Sequence, residues 1–136
     1  MKEVIGDECF KVLDQDIYIL FYFGASWCKP CQKILPFMEE LVKEYDEKII
    51  QFYKIDIDLK ENELLCDKCK IKVVPAFLLF KGRDFIDRTK GDNIMGVKKM
   101  IQTIFQEDDL EPEIVETKED PFVANKQIFD KEKLFK

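Results

Sequence analysis

The 136-residue chain contains no histidine. That excludes Ser–His–Asp and Cys–His nucleophile chemistry and every His-ligated metal site. A long hydrophobic run is also missing. The longest apolar stretch, residues 17–27, falls short of the roughly 20 residues that a transmembrane helix needs. No basic segment stands before it and no small-residue cleavage site comes after it. A secretory signal is therefore not expected, no membrane partner is expected, and the expected location is cytoplasmic. Nor is there an excess of positive charge. The formal net charge of −6 argues against nucleic acid as the main partner, because phosphate contacts need a basic surface. Internal repeats and low-complexity stretches are absent as well.

What is present, and unusual in its number, is cysteine: Cys9, Cys28, Cys31, Cys66 and Cys69. Five is odd, and without a secretory signal the set does not read as a disulfide framework. Redox chemistry or metal binding is the better reading.

Charge divides the chain in two. Residues 1–106 hold 18 acidic and 17 basic side chains, and residues 107–136 hold 10 acidic and 5 basic. The shift coincides with Glu107 and Pro112, where helical periodicity stops. A domain of residues 1–106 and an acidic C-terminal extension of residues 107–136 are expected. The extension keeps apolar residues such as Phe122, Ile128 and Phe135, too many for a simple linker. Within it, residues 126–136 read equally as a short amphipathic helix or as a solvated tail.

In the first 106 residues, elements alternate. Strands are predicted at 2–5, 17–23, 49–57, 76–80 and 85–88, the last two as a hairpin around Lys81-Gly82-Arg83-Asp84. Helices are predicted at 8–13, 29–45, 62–69 and 94–105, the long ones from apolar residues at helical spacing. In 29–45 that stripe is Ile34, Phe37 or Met38, Leu41 and Tyr45. The order fits an α/β domain with a mixed central sheet flanked by helices.

The chemistry concentrates in Trp27-Cys28-Lys29-Pro30-Cys31, between a buried strand and a helix. At a helix start Cys28 faces unpaired backbone N–H groups and the positive end of the helix dipole, which favour its thiolate. Lys29 acts in the same direction, and Pro30 sits in the first turn, where its missing donor costs little. The thiolate is the attacking species. Cys31, one turn further in, is expected to be more buried and to close a small ring with Cys28. Cys28 then attacks a substrate disulfide and Cys31 resolves the mixed disulfide. Half a zinc site is the competing reading.

Several further motifs stand in order around this one. Phe23-Gly24-Ala25-Ser26 runs into it, Pro36 follows five residues after Cys31, and Lys54-Ile55-Asp56-Ile57-Asp58 comes next. Val74-Pro75 precedes Ala76-Phe77-Leu78-Leu79-Phe80, and Gly82 and Gly91 come after. Over about residues 3–106 this set resembles the thioredoxin family. The resemblance implies the thioredoxin fold and a protein-disulfide oxidoreductase that needs no cofactor and no metal. It implies disulfide-containing protein substrates, recharging by a reductase such as a thioredoxin reductase, and a monomer. It also implies that Pro75 is cis beside the sulfurs, that Val74 pairs with an extended substrate, and that Trp27 shields the disulfide. With them, Lys90, Gly91 and Asp92 would line the substrate groove.

Two departures stand out. Tyr22 occupies the position where the family usually carries a buried aspartate that moves the proton of the inner cysteine. Lys54 matches the lysine near that aspartate. A tyrosine, titrating near ~10, cannot replace a carboxylate base. Charges at Lys90 and Asp92 replace mostly apolar or small residues, so partner choice is expected to differ. Cys66 and Cys69, three apart, are candidate regulatory thiols or simply reduced, partly buried ones. A four-cysteine zinc site is disfavoured by the gap between the pairs. Cys9 reads as a small core residue. An oxidase or isomerase of the same chemistry, or a binding module that keeps only the fold, are the alternative functions.

Overall fold

The structure is a computed structural model that describes residues 1–106. The expected acidic extension, with its candidate helix at 126–136, lies outside the described residues.

The central element is β2, Tyr18–Gly24, buried from Ile19 onward. A strand sends successive side chains to opposite faces, so a run with no polar break must be covered on both. Leu20 and Tyr22 point into one core and Ile19, Phe21 and Phe23 into the other. β2 pairs in parallel with β3 (Ile50–Asp56) and antiparallel with β4 (Ala76–Lys81). The edges are β1 (Lys2–Glu3) beside β3 and β5 (Asp84–Lys90) beside β4, giving the order β1-β3-β2-β4-β5. This is the mixed sheet expected from the sequence.

Helices close both faces. On the Tyr22 side lie α2 (Lys29–Val42), through Ile34, Met38 and Leu41, and α4 (Ile94–Gln106), through Val97, Met100, Ile101 and Ile104. On the Phe21 side lie α1 (Glu8–Lys11), with a 3-10 turn at Val12–Asp14, and α3 (Glu63–Lys68). These bring Cys9, Leu13, Leu65 and Cys69 against the sheet. Each fully buried large apolar side chain contributes roughly 1.5–3 kcal/mol from area removed from water.

Three expectations are adjusted. β1 ends at Glu3, not residue 5, because the chain turns at Gly6, whose φ of +61° suits a residue without a Cβ. In α2 Met38 takes the core position and Phe37 is 57% exposed. That helix stops at Val42, yet Tyr45 still packs, stacked on Phe105 and tilted against Phe52. The hairpin expected around 81–84 closes on Gly82 and Arg83, and β5 continues to Lys90, two residues beyond the expected end.

A polar pin ties the N-terminal turn to the end of β3. Asn62, fully buried, accepts from the Gly6 N–H at 2.7 Å and donates to the Asp56 carbonyl at 2.8 Å. Buried polar groups are kept only when so satisfied.

Gly24 is constrained by its neighbour two residues back on the same face. A Cβ there would meet the Tyr22 hydroxyl and lie 2.7 Å from its Cζ. Gly24→Ala should therefore cost about 1–3 kcal/mol, the range for overpacking a filled site, and measurably less in a Tyr22→Leu background. Urea unfolding of the four proteins in a double-mutant cycle checks this. Equal costs in both backgrounds would place the constraint elsewhere.

Candidate active site

β2 ends at Gly24 and delivers the next residues to the start of α2. Cys28 is the N-cap of that helix, in extended conformation, and Pro30 falls in the first turn. The Cys31 backbone N–H donates to Cys28 Sγ at 3.2 Å, so the sulfur takes the place of a capping oxygen. The Gln32 N–H donates to the Cys28 carbonyl at 3.2 Å, and the Cys28 N–H to Ala25. Cys28 and Cys31 are joined as a disulfide, with Cα atoms 5.2 Å apart. Both residues are buried, at 4% and 1% exposed. Lys29 and Pro30 are exposed beside them.

The opposing wall is the loop before β4. Val74–Pro75 is a cis peptide, and Cys28 Sγ lies 3.7 Å from the Val74 carbonyl oxygen. The Pro75 carbonyl accepts from the Gly91 N–H at 2.8 Å. Gly91 has φ +88° and nothing within 4 Å of where a Cβ would be. Lys90 and Asp92 flank it, both exposed. The geometry thus brings Cys28, Cys31, Val74, Pro75 and Gly91 together.

Trp27 immediately precedes the Cys28 N-cap. Its indole N–H donates to Asp58 at 2.8 Å, and the residue is 64% exposed. Asp58 is a supporting residue that sequence reasoning missed. Its only signal was membership of the Lys54-Ile55-Asp56-Ile57-Asp58 segment, which turns at the end of β3.

Matched against known families, residues 3–105 fit the thioredoxin family. The chain belongs to that family. Among its relatives, the thioredoxin of Geodia cydonium is 38% identical over 88 residues, covering 64% of this chain and 79% of that one. That of Coprinus comatus is 31% identical over 104 residues, 75% of this chain and 96% of the other. The solved structure of Plasmodium falciparum thioredoxin superposes with a TM-score of 0.69 at 31% identity, covering 76% of this chain and 98% of that one. With the disulfide pair at the helix start, this thioredoxin-family chain is a dithiol–disulfide oxidoreductase with the thioredoxin fold.

Beside Cys31, this thioredoxin-family chain has a polar recess. A cavity of about 250 Å³ is lined by Tyr22, Cys31, Gln32, Lys54, Asp56 and Glu3, among others. Tyr22 is buried and packs on Phe77, and its hydroxyl donates to the Cys31 carbonyl at 3.5 Å. Burial pushes its pKa up to about 12, so it stays protonated and supplies no base near neutral pH. The recess is large and polar enough to admit water.

The remaining thiols sit across the sheet. Cys9 and Cys69 are fully buried in the core on the Phe21 side, with Cys66 partly buried against it. Sequence reasoning set Cys9 apart from the other two, yet all three lie within electrostatic reach of one another. Cys66 belongs to α3 while Cys69 is its C-cap. The sheet separates them from Cys28 and Cys31, so the two C-x-x-C pairs are not brought together. Among the described residues no cluster of three His, Cys, Asp or Glu is arranged to hold a metal.

Burial, chiefly, raises the pKa of Cys9 to about 12, Cys66 to about 11 and Cys69 to about 12. Because the thiolate is the reactive form, alkylating the reduced protein at pH 7 should label Cys28 first. Cys9, Cys66 and Cys69 should stay unlabelled until the pH is raised toward 10 or the protein unfolds. Peptide mapping by mass after a brief iodoacetamide pulse reads this. Early label on Cys66 or Cys69 would contradict it.

Proposed function

We propose that the chain is a protein-disulfide reductase in which Cys28 is the nucleophile and Cys31 the resolving thiol. The observation that carries this is the sulfur-capped start of α2, with Cys28 as the capping residue and the cis-proline loop beside it. In the reduced state the Cys28 thiolate attacks one sulfur of a substrate disulfide. A mixed disulfide forms and the first substrate thiolate leaves. Cys31 then loses its proton, and its thiolate attacks Cys28. The substrate leaves as a dithiol, and the protein is left with the Cys28–Cys31 disulfide. Two electrons have passed to the substrate, and a thioredoxin reductase would return them. A thioredoxin f2 seen in complex with a ferredoxin:thioredoxin reductase has the same fold as this chain.

Trp27, Lys29 and Pro30 support the nucleophile in this reading, and Val74, Pro75, Lys90, Gly91 and Asp92 form the groove. Three free thiols at Cys9, Cys66 and Cys69 suit a reducing, cytoplasmic setting better than an oxidising one. No helix among the described residues is long and apolar enough to cross a membrane. We further propose that residues 1–106 are the catalytic unit of a monomer and that 107–136 is a separate extension. The protonated state of partly buried Cys66 and fully buried Cys69 favours a structural role over rapid regulation.

Insulin reduction coupled to a dithiol donor tests the roles. Cys28→Ser should abolish turnover, whereas Cys31→Ser should accumulate mixed disulfides visible on non-reducing gels. If Cys31→Ser trapped nothing while Cys28→Ser accumulated mixed disulfides, the roles would be reversed.

Tyr22 and the polar recess generate a second test. With no carboxylate at position 22, the Cys31 proton leaves through water in the recess, whose lining holds the carboxylates Glu3 and Asp56 and the Lys54 ammonium. Tyr22→Asp should speed turnover at neutral pH by about tenfold, less than the ~100-fold or more of an optimised general base. It should also lower stability, because it buries a new charge near Lys54. An unchanged rate would show that the recess already supplies the missing base.

A further inference from the structure

Besides the polar recess, the described residues form an open groove of about 1150 Å³ on the other side of the cis-proline loop. One bank is the stretch from α3 to that loop, with Asp67, Lys70, Ile71, Lys72 and Val73. The other is the end of β5, with Arg88, Thr89 and Lys90. Four cations therefore border it against one carboxylate. The Arg88 guanidinium is turned onto the Cys69 and Lys70 carbonyls, at 3.0 and 3.4 Å, and braces the two banks. Lys72 and Lys90 are exposed, one on each bank, and neither forms an ion pair among the described residues. Apolar floor comes from Ala76 and the partly buried Ile71.

Position gives the groove its meaning. It adjoins the cis-proline loop: Val73 and Ala76 flank Val74–Pro75, the Val74 carbonyl oxygen lies 3.7 Å from Cys28 Sγ, and Lys90 precedes the Gly91 that holds the Pro75 carbonyl. The Val74 N–H has no partner among the described residues, so an extended chain lying against this loop finds a free backbone donor. A chain entering along that line passes between Lys72 and Lys90.

We infer that this groove selects protein substrates whose disulfide is flanked by an acidic extended segment. Opposed charges set partner choice and encounter rate more than they set the exchange chemistry itself. The inference rests on the reductase reading above and deepens it.

The test uses the full chain and three disulfide peptides that differ only in the residues flanking one cysteine: Asp/Glu, Ser or Lys. At low salt, kcat/KM should fall in that order, with about a tenfold span between the acidic and basic peptides. The span should shrink at about 0.5 M salt, where charges are screened over a few ångströms. Lys72→Glu/Lys90→Glu should reverse the order. The control, Lys98→Glu/Lys99→Glu on α4, makes the same change in net charge and should keep it. Equal kcat/KM for all three peptides overturns the inference, as it would if the acidic 107–136 segment of the chain itself filled the groove. Reversal by the α4 control also overturns it, since net charge would then suffice. Failure to reduce any of the peptides would instead count against the reductase reading.

Discussion

The structure is organised around one hydrogen bond, from the Cys31 backbone N–H to the sulfur of Cys28. A helix start leaves N–H groups without partners, and here one of them is met by sulfur. The sulfur is thereby fixed at the positive end of a 14-residue helix. The arrangement needs a rigid strand to deliver Cys28 and a rigid helix to present Cys31. β2 supplies the first because it is the middle strand of the sheet, bonded on both sides and covered on both faces. α2 supplies the second through Ile34, Met38 and Leu41, which anchor it to the same core that contains both cysteines.

The two faces of the sheet divide the cysteines by chemistry. On one face the pair meets a polar recess, a helix start and the cis-proline loop, whose Val74 N–H has no partner among the described residues. On the other, Cys9, Cys66 and Cys69 meet apolar side chains and one another, and burial holds them as thiols. The same residue type is thus reactive or inert according to which backbone groups face it, with no histidine or metal needed to make the difference. Tyr22 belongs to the reactive face but is kept neutral by the burial that makes it a good core residue.

Much of this was legible in the sequence because the signals were local. The unbroken apolar run at 17–23 could only be a doubly covered strand, and C-x-x-C between such a run and a helical stripe fixed where the chemistry sits. The elements came out in the right order, with ends wrong by a few residues where a turn decided them, as at Gly6. What was not legible depended on contacts between distant segments. Asn62 was legible as a helix start, and it is the N-cap of α3, but its side chain is also a buried pin between Gly6 and Asp56 that nothing local announced. Trp27 was legible as a neighbour of the cysteine pair, but its hydrogen bond to Asp58, thirty-one residues on, was not. Cys9 was read alone, because nothing in its neighbourhood shows that α1 and α3 pack on one face. Gly24 read as a motif letter, while its physical reason is the Tyr22 ring that fills its side-chain space. The extension at 107–136 stays a reading of charge and composition.

The central claim is that the start of α2 holds Cys28 ready as a thiolate. The most direct measurement is a pH titration of thiolate ultraviolet absorbance in the reduced protein, with Cys28→Ser as the reference that identifies the signal. One thiol should ionise below the ordinary cysteine range of about 8.5, and that step should vanish in Cys28→Ser. A titration in which no thiol ionises below that range, or in which the early step survives Cys28→Ser, would contradict the account.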